Sequence, residues 1–372
     1  MRAPLALACL LALLVAPALQ AQDWKDSEFP YITSAPNDFP VIAGRFSYRK
    51  AAEYFAPYIN AGSFDVDAGV GFRGSRFATA TFRAPGLWPG WRLKVEAGAR
   101  RDGRFGFFGL GNDTKLVDSL QKAEKLYYRV KRSRYHAMAE ATRWVKPRFG
   151  IALASGVEVS RFTDVSGTDF FQQTYGGNIE DTDITGRLTL LYDSRDNEFN
   201  THRGVFVEGS GLVGSGGNGY QRLTFIARGY LPVRTGTIIA ARFGASGVLG
   251  TAPLSARYEI AAWEHEVSVY GGEHSNRGVD DQRYAGEHVL FGNLEIRHDL
   301  LNAGDYGAVT LLAFVDAGRV FEGEHFRLTT ERLKVGKGVG IALRILRSNI
   351  LRFNFADGPD GFEFSAGSGW MF

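Results

Sequence analysis

"WRLKVEAGAR", residues 91–100, alternates from end to end. Trp91, Leu93, Val95, Ala97 and Ala99 fall on one side, and Arg92, Lys94, Glu96 and Arg100 on the other. Period two is the signature of a β-strand whose two faces meet different surroundings. One such segment is weak evidence, so the count of segments decides the fold.

The pattern recurs along the chain. Residues 64–73 set Phe64, Val66, Ala68, Val70 and Phe72 against Asp65, Asp67 and Arg73. Residues 222–231 set Leu223, Phe225, Ala227 and Leu231 against Arg222, Thr224 and Arg228. Residues 333–345 and 349–356 repeat it, with Lys337 the one discord. Further segments are 75–84, 126–145, 147–161, 183–194, 204–213, 237–249, 290–300, 308–320 and 362–372, fourteen in all. The aromatic-rich region 38–60 has room for two more. The expected fold is all-β: a transmembrane antiparallel β-barrel over 39–372 with sixteen strands, fourteen or twelve being the fallbacks. An even count leaves both chain ends on the periplasmic side. Arg, Lys, Glu and Asp on the polar faces suit a wet lumen. A soluble sandwich would instead show turn signals about every 8–12 residues.

Composition agrees. There are 46 Gly, 15 Tyr and 28 Phe against 12 Pro. A net charge of +3 is too mild to argue for nucleic acid, and nothing after the leader is apolar enough for a transmembrane helix. Arg2, the apolar run from Leu5 to Val15 and the stretch Pro17–Ala21 read as a secretory signal peptide over 1–21. That run is shorter than the roughly 20 residues a span needs. Cys9 lies within it, without lipobox spacing, so the mature chain carries no disulfide and no thiolate metal site. Residues 22–38 are then expected to be a short periplasmic segment.

Four stretches carry more specific information: "FFGLGNDT" (107–114), "YDSRDNEFNTHRG" (192–204), "AFVDAG" (313–318) and "VGKGVGIALRI" (335–345), the last followed by "ILRFNFADG". Their order and spacing resemble the barrel of the BamA/TamA-type outer-membrane assembly factors, the bacterial surface antigen family, over roughly 60–372. The last strand, ending on Gly369-Trp370-Met371-Phe372, resembles the assembly signal of bacterial outer-membrane barrels.

The resemblance implies a long loop, here 251–289, folded toward the lumen, with an Arg-Gly pair that contacts acidic residues on the strands after it. Arg-Gly occurs four times: Arg73-Gly74, Arg203-Gly204, Arg228-Gly229 and Arg277-Gly278. Arg228-Gly229-Tyr230 is the best letter match to the family form, but it lies inside an alternating strand, and Ser246, eighteen residues on, is no partner for it. Position selects Arg277-Gly278, which lies in the long connection. Eighteen residues on comes Glu295, on the polar face of its segment with Asn293, Arg297 and Asp299. On the next strand Val309, Leu311, Ala313 and Val315 form the lipid stripe, which puts Phe314 and Asp316 in the lumen. Two carboxylates on one face make a receptor for a guanidinium, whose planar fork takes paired hydrogen bonds and never deprotonates. The expected clasp is therefore Arg277 and Gly278 against Glu295, Asp316 and Phe314.

The chain departs from the family pattern in several places. Asn276 and Val279 flank the pair, where the family tends to have an aliphatic before and an aromatic after. Thr201 takes the usual proline position. The family carries periplasmic POTRA domains of about 75 residues each, and the residues between Ala21 and Phe39 leave no room for one.

Among the seven histidines, Glu264-His265-Glu266 and Glu273-His274-Ser275 share the long loop with Arg277. No spacing matches a metal or hydrolase motif, so a solvated polar loop is the expected role. Gly336-x-Gly338-x-Gly340 lacks the Lys-Ser/Thr of a phosphate loop, and small residues on a strand's lumen face instead allow a close backbone approach. No catalytic residue, metal or cofactor is expected. At the seam, Gly367, Gly369 and Phe372 belong to the last strand, whose glycines weaken its packing.

The resemblance implies an integral barrel of the Gram-negative outer membrane that assists insertion or translocation of proteins or lipids. Its partners would be membrane lipids, client outer-membrane proteins and a separate periplasmic component. The alternative is a passive channel or structural barrel that has lost the insertase role.

Overall fold

A computed structural model describes residues 24–372, apart from 264 and 348. The expected signal peptide and Glu264 lie outside the described residues. The chain builds one antiparallel sheet. Its first half contains β1 (Trp24–Ala35), β2 (Asp38–Ala51), β3 (Asn60–Gly71), β4 (Arg76–Trp88), β5 (Trp91–Gly106), β6 (Arg129–Lys146), β7 (Phe149–Thr163) and β8 (Ile179–Asp193). Next come β9 (Gly204–Gly214), β10 (Tyr220–Arg234) and β11 (Thr237–Gly250). A small separate hairpin follows, β12 (Glu259–Ala262) and β13 (His265–Ser268). The sheet resumes with β14 (His288–Asn302), β15 (Gly307–Phe321), β16 (Lys334–Ile345), β17 (Asn349–Gly358) and β18 (Gly361–Ser368). Sixteen strands pair in sequence order, and the region 38–60, expected to hold two strands, holds β2 alone before β3 begins.

The sheet curls into a barrel. The connection 52–59, between β2 and β3, meets turns from the far end of the sheet. The Tyr54 hydroxyl donates to Asp305 at 2.5 Å, and Arg347 Nη2 donates to the Tyr54 carbonyl at 2.7 Å. On its other side Pro57 accepts from the Glu198 amide at 3.0 Å. Only a sheet whose ends approach each other brings these turns together. Among the described residues no ladder joins β1 to β18.

Two expectations are corrected. Among the described residues the sheet already includes Trp24–Ala35, so this stretch, expected to be a free periplasmic segment, is a strand. The β1–β2 register explains why the sequence hides this strand. Asp26, Glu28 and Pro30 sit between Trp24 and Ile32 on its outward face, so no apolar stripe forms. Pro30 pairs with Gly44 in a ladder that runs unbroken from Trp24 to Thr33. A proline cannot donate, which suits a strand at a sheet edge.

The second correction concerns the last strand. It ends at Ser368, and Gly369, at φ +77°, turns the chain away. Met371 and Phe372 then pack in a cluster with Tyr230 and Ala240, on the lumen face of β10 and β11. Gly369 and Phe372 therefore lie outside the seam strand, and only Gly367 lies in it. Phe372 leaves the alternation because a ring lying over the guanidinium groups of Arg242 and Arg297, at 5.1 and 5.4 Å, gains cation–π contact there.

The long connection 251–287 fills the barrel. Ile260, Ala262, Val267, Tyr270, Val279 and Tyr284 from this loop share one buried cluster with Ile226, Val289, Phe291 and Val320 of the wall. A second cluster caps the long-loop end. It joins Phe105, Phe107, Phe162 and Tyr258 to Phe171 of α1 (Phe170–Tyr175), a short helix N-capped by Asp169.

Candidate functional site

The β14–β15 register sets the receptor. Glu295 lies directly across from Phe314, and Asn293 directly across from Asp316. With a side-chain period of two, all four point into the lumen. Arg277 enters from the loop and is fully buried with its partners. Its Nε and Nη2 donate to the two oxygens of Asp316, each at 2.8 Å, a paired fork. Its Nη1 donates to Glu295, and its backbone amide donates to Asp316 Oδ2 at 3.0 Å. The guanidinium carbon lies 3.5 Å from the Phe314 ring centroid. Burial alone would lower the pKa of Arg277, but Glu295 and Asp316 outweigh it and hold the group above its ordinary value. The cation is permanent.

The loop backbone reaches the wall because glycines line the contact. A Cβ on Gly278 would sit 2.7 Å from the Gly336 Cα and 2.9 Å from the Asp357 carbonyl oxygen. Gly338, opposite Phe314, leaves room for that ring. Gly367 in β18 meets the Glu273 carboxylate of the loop, where a Cβ would come 2.2 Å from Oε2. The loop tip thus spans β14 to β18 and ends against the free edge strand.

The flanking residues Asn276 and Val279 have distinct jobs. Asn276 is buried. Its amide donates to the Tyr270 hydroxyl at 2.6 Å and to the Lys334 carbonyl at 3.2 Å, while its oxygen accepts from the Gly278 amide at 3.0 Å. Val279 belongs to the main cluster. An amide here ties the turn to β16, a contact an aliphatic residue could not make.

Sequence reasoning missed the outer ring of the clasp. Asn293 donates both to Asp316 and to the Ser275 carbonyl, each at 2.8 Å. Arg242 donates to Asn293 at 2.9 Å and to the His274 carbonyl at 2.7 Å. Arg297 donates to Glu295 at 2.7 Å and to the Phe372 carbonyl at 3.2 Å, and lies 4.3 Å from the Trp370 ring centroid. Arg352 donates to the Gly369 carbonyl at 3.2 Å. Glu295 therefore holds the loop through Arg277 and the 369–372 segment through Arg297. The available signal was that Asn293 and Arg297 share the polar face of Glu295. Nothing local marks Arg242 or the inward tail.

Arg228 faces the lumen on β10, and Ser246 bonds to Thr224 rather than to it. The His265 ring takes the Arg228 Nη2 at 3.0 Å. Thr201 is buried, with its hydroxyl donating to the Asn197 carbonyl at 2.6 Å. Among the described residues no group of three His, Asp or Glu side chains is placed to hold a metal ion.

Comparisons with known proteins agree with this geometry. The barrel is similar to BamA from Haemophilus ducreyi lacking POTRA domains 1–3, with a TM-score of 0.57 at 13% identity, over 94% of this chain and 70% of that one. It is similar to CdiB from Escherichia coli, with a TM-score of 0.57 at 12% identity over 94% of this chain, and to CdiB from Acinetobacter baumannii, at 0.52 and 12%. The chain spans 62% and 60% of those two CdiB chains. At such identity the likeness speaks for the fold alone. No curated protein sequence matches the chain. The sequence matches the Omp85 superfamily domain over residues 51–370. An antiparallel barrel with an inward loop, together with a family domain spanning most of its length, makes the chain a member of the Omp85 superfamily.

Proposed function

We propose that the protein is an outer-membrane barrel that assists insertion or translocation of proteins or lipids, working by parting its seam. One observation carries this reading: β1 and β18 are the two ends of the sheet, and among the described residues no ladder pairs them. A free strand edge offers unpaired amides and carbonyls to an incoming strand, a form of strand addition. The edges are managed. Pro30 and the outward Asp26 and Glu28 discourage indiscriminate pairing on β1, and β18 is only eight residues long. Glu273 of the clasped loop rests on Gly367, so the loop reports on the seam. In this reading the energy comes from the client's own folding, and Arg277 keeps the loop in place while the seam opens. Client outer-membrane proteins and a separate periplasmic component are the proposed partners.

Reconstitution tests it. Purified protein in liposomes should accelerate folding of an unfolded client barrel, measured by its heat-modifiable mobility. A disulfide installed between β1 and β18 should abolish the acceleration. If locked and unlocked proteins perform equally, the seam reading fails.

A passive channel is the second reading. The observation favouring it is the charged lumen wall beneath the loop. Ion conductance without client acceleration would select it.

A further inference from the structure

Two arginines face each other inside the barrel with no acid between them. Arg228 of β10 and Arg242 of β11 are direct cross-strand partners, both on the lumen face. Like charges directly opposite destabilise a ladder. Both are more than nine-tenths buried, and so is Arg222 on β10. Among the described residues none of the three pairs with a carboxylate. Their hydrogen bonds run to neutral acceptors, mostly on the loop. Arg222 donates to the Ala256 and Glu259 carbonyls, and Arg242 to the His274 carbonyl and to Asn293. Arg228 Nη2 meets His265 Nε2 at 3.0 Å, while the histidine's Nδ1 lies 2.8 Å from the Trp263 carbonyl. One ring nitrogen must donate to that carbonyl and the other must accept from the guanidinium, so His265 is neutral. The buried Nε of Arg228 has no partner.

Most of the carboxylates nearest these arginines are engaged elsewhere. Glu295 is held by Arg277 and Arg297, Asp316 by Arg277 and Asn293, and Asp183 by the Gly216 amide and the Tyr220 hydroxyl. Glu208 accepts from the Trp263 amide through Oε2, and its Oε1, on the strand beside Arg228, makes no hydrogen bond to the guanidinium. The loop itself is acidic. Residues 251–287 carry seven carboxylates against three arginines. An acidic plug therefore lies in a wall whose arginines bind it only through neutral groups. Buried guanidinium groups without a carboxylate in hydrogen-bond contact cost desolvation, so stability does not explain the arrangement.

We propose that the β10–β11 wall is an anion-binding surface, covered in the clasped state by the acidic loop, and that the lumen conducts anions in preference to cations when the loop withdraws. Arg228 and Arg242 are the selecting pair, and Arg222 extends the surface along β10. The ligands are small inorganic anions, chloride and sulfate being the probes. Withdrawal removes the His265 and His274 acceptors at once, leaving two fixed cations facing open lumen. Fixed charge in a narrow low-dielectric passage concentrates the opposite ion. The inference goes beyond the insertion reading and does not rest on it.

The test is the reversal potential of the full-length protein in planar bilayers under a KCl gradient. Glu295→Gln/Asp316→Asn loosens the clasp and leaves the arginine wall intact. This variant should open more often than wild type and favour chloride over potassium several-fold. Adding Arg228→Gln/Arg242→Gln to the same background should bring the permeability ratio close to one, and sulfate should block only the barrels that keep the two arginines. Cation preference in the open state overturns the proposal, as does a ratio indifferent to the two arginines. Spontaneous openings of the wild type, compared with Arg228→Gln/Arg242→Gln with Glu295 and Asp316 unchanged, provide the same reading should the clasp variant fail to fold. If no heat-modifiable, folded variant conducts at all, the proposal is wrong.

Discussion

Two of the walls that hold the loop do so by opposite chemistries. On β14 and β15 a guanidinium from the loop enters a wall of carboxylates, with a paired fork and full burial. On β10 and β11 guanidinium groups from the wall reach neutral acceptors of the loop. The first attachment is specific, because leaving an ionised partner buried and alone is expensive. The second is exchangeable, because water replaces a carbonyl acceptor at little cost. The first wall fixes where the loop sits and the second resists its departure only through neutral contacts, while Arg132 and Arg134 of β6 hold Glu259 of the loop at 2.7 and 2.9 Å.

The sharpest break in that comparison is Arg277→Ala. It strands Glu295 and Asp316 without their cation and should destabilise the clasped loop by about 3–5 kcal/mol. Limited proteolysis should then cut within 270–283, and the folded band in semi-native electrophoresis should convert at lower temperature. Unchanged protease resistance would mean that the packed cluster around Tyr270 and Val279 holds the loop unaided.

Glu295→Gln comes next. It weakens charge-assisted bonds to two arginines, worth roughly 1.5–3 kcal/mol. Because Arg297 also holds the Phe372 carbonyl, hydrogen exchange should rise both in the loop and in 369–372. Asp316→Asn should loosen the loop alone. Equal exchange of the tail in the two variants would show that the shared carboxylate does not couple them.

Gly336→Ala tests the close approach without touching charge. Its Cβ would come 2.3 Å from Asn276 Oδ1 and 2.9 Å from the Gly278 Cα. Backbone must move, and the cost should be about 1–3 kcal/mol, read as a lower unfolding midpoint in urea. The smallest effect belongs to the other wall. Arg228→Gln/Arg242→Gln removes a like-charge pair and should shift stability by less than about 1 kcal/mol, in either direction, in the same unfolding experiment. A loss as large as that of Arg277→Ala would erase the contrast between the two walls.

Much of the clasp was legible in the sequence, for a simple reason. Lumen and lipid alternate along each strand, so the face of Glu295, Phe314 and Asp316 follows from the polarity of their neighbours. The choice of Arg277 over Arg228 needed one further fact, that a loop residue can reach the wall and a strand residue is part of it. The first strand escaped because periodicity detects an apolar stripe, and Asp26, Glu28 and Pro30 interrupt it. The tail was misplaced because alternation from Phe362 onward fits a strand to the end. The turn at Gly369 depends on partners from β10, β11 and β14.

The sequence by itself determined the fold class, fourteen of the sixteen strands and the residues of the inner clasp. Each depends on a local two-residue period or on the chemistry of one cation among acids. Only the tertiary structure decided where the sheet begins, that the 369–372 segment leaves the last strand, and that Arg228 faces Arg242. The first and third rest on the registers of the β1–β2 and β10–β11 hairpins, which a period of two does not fix, and the second on packing against distant strands. A short-range pattern carries no information about contacts made across a lumen.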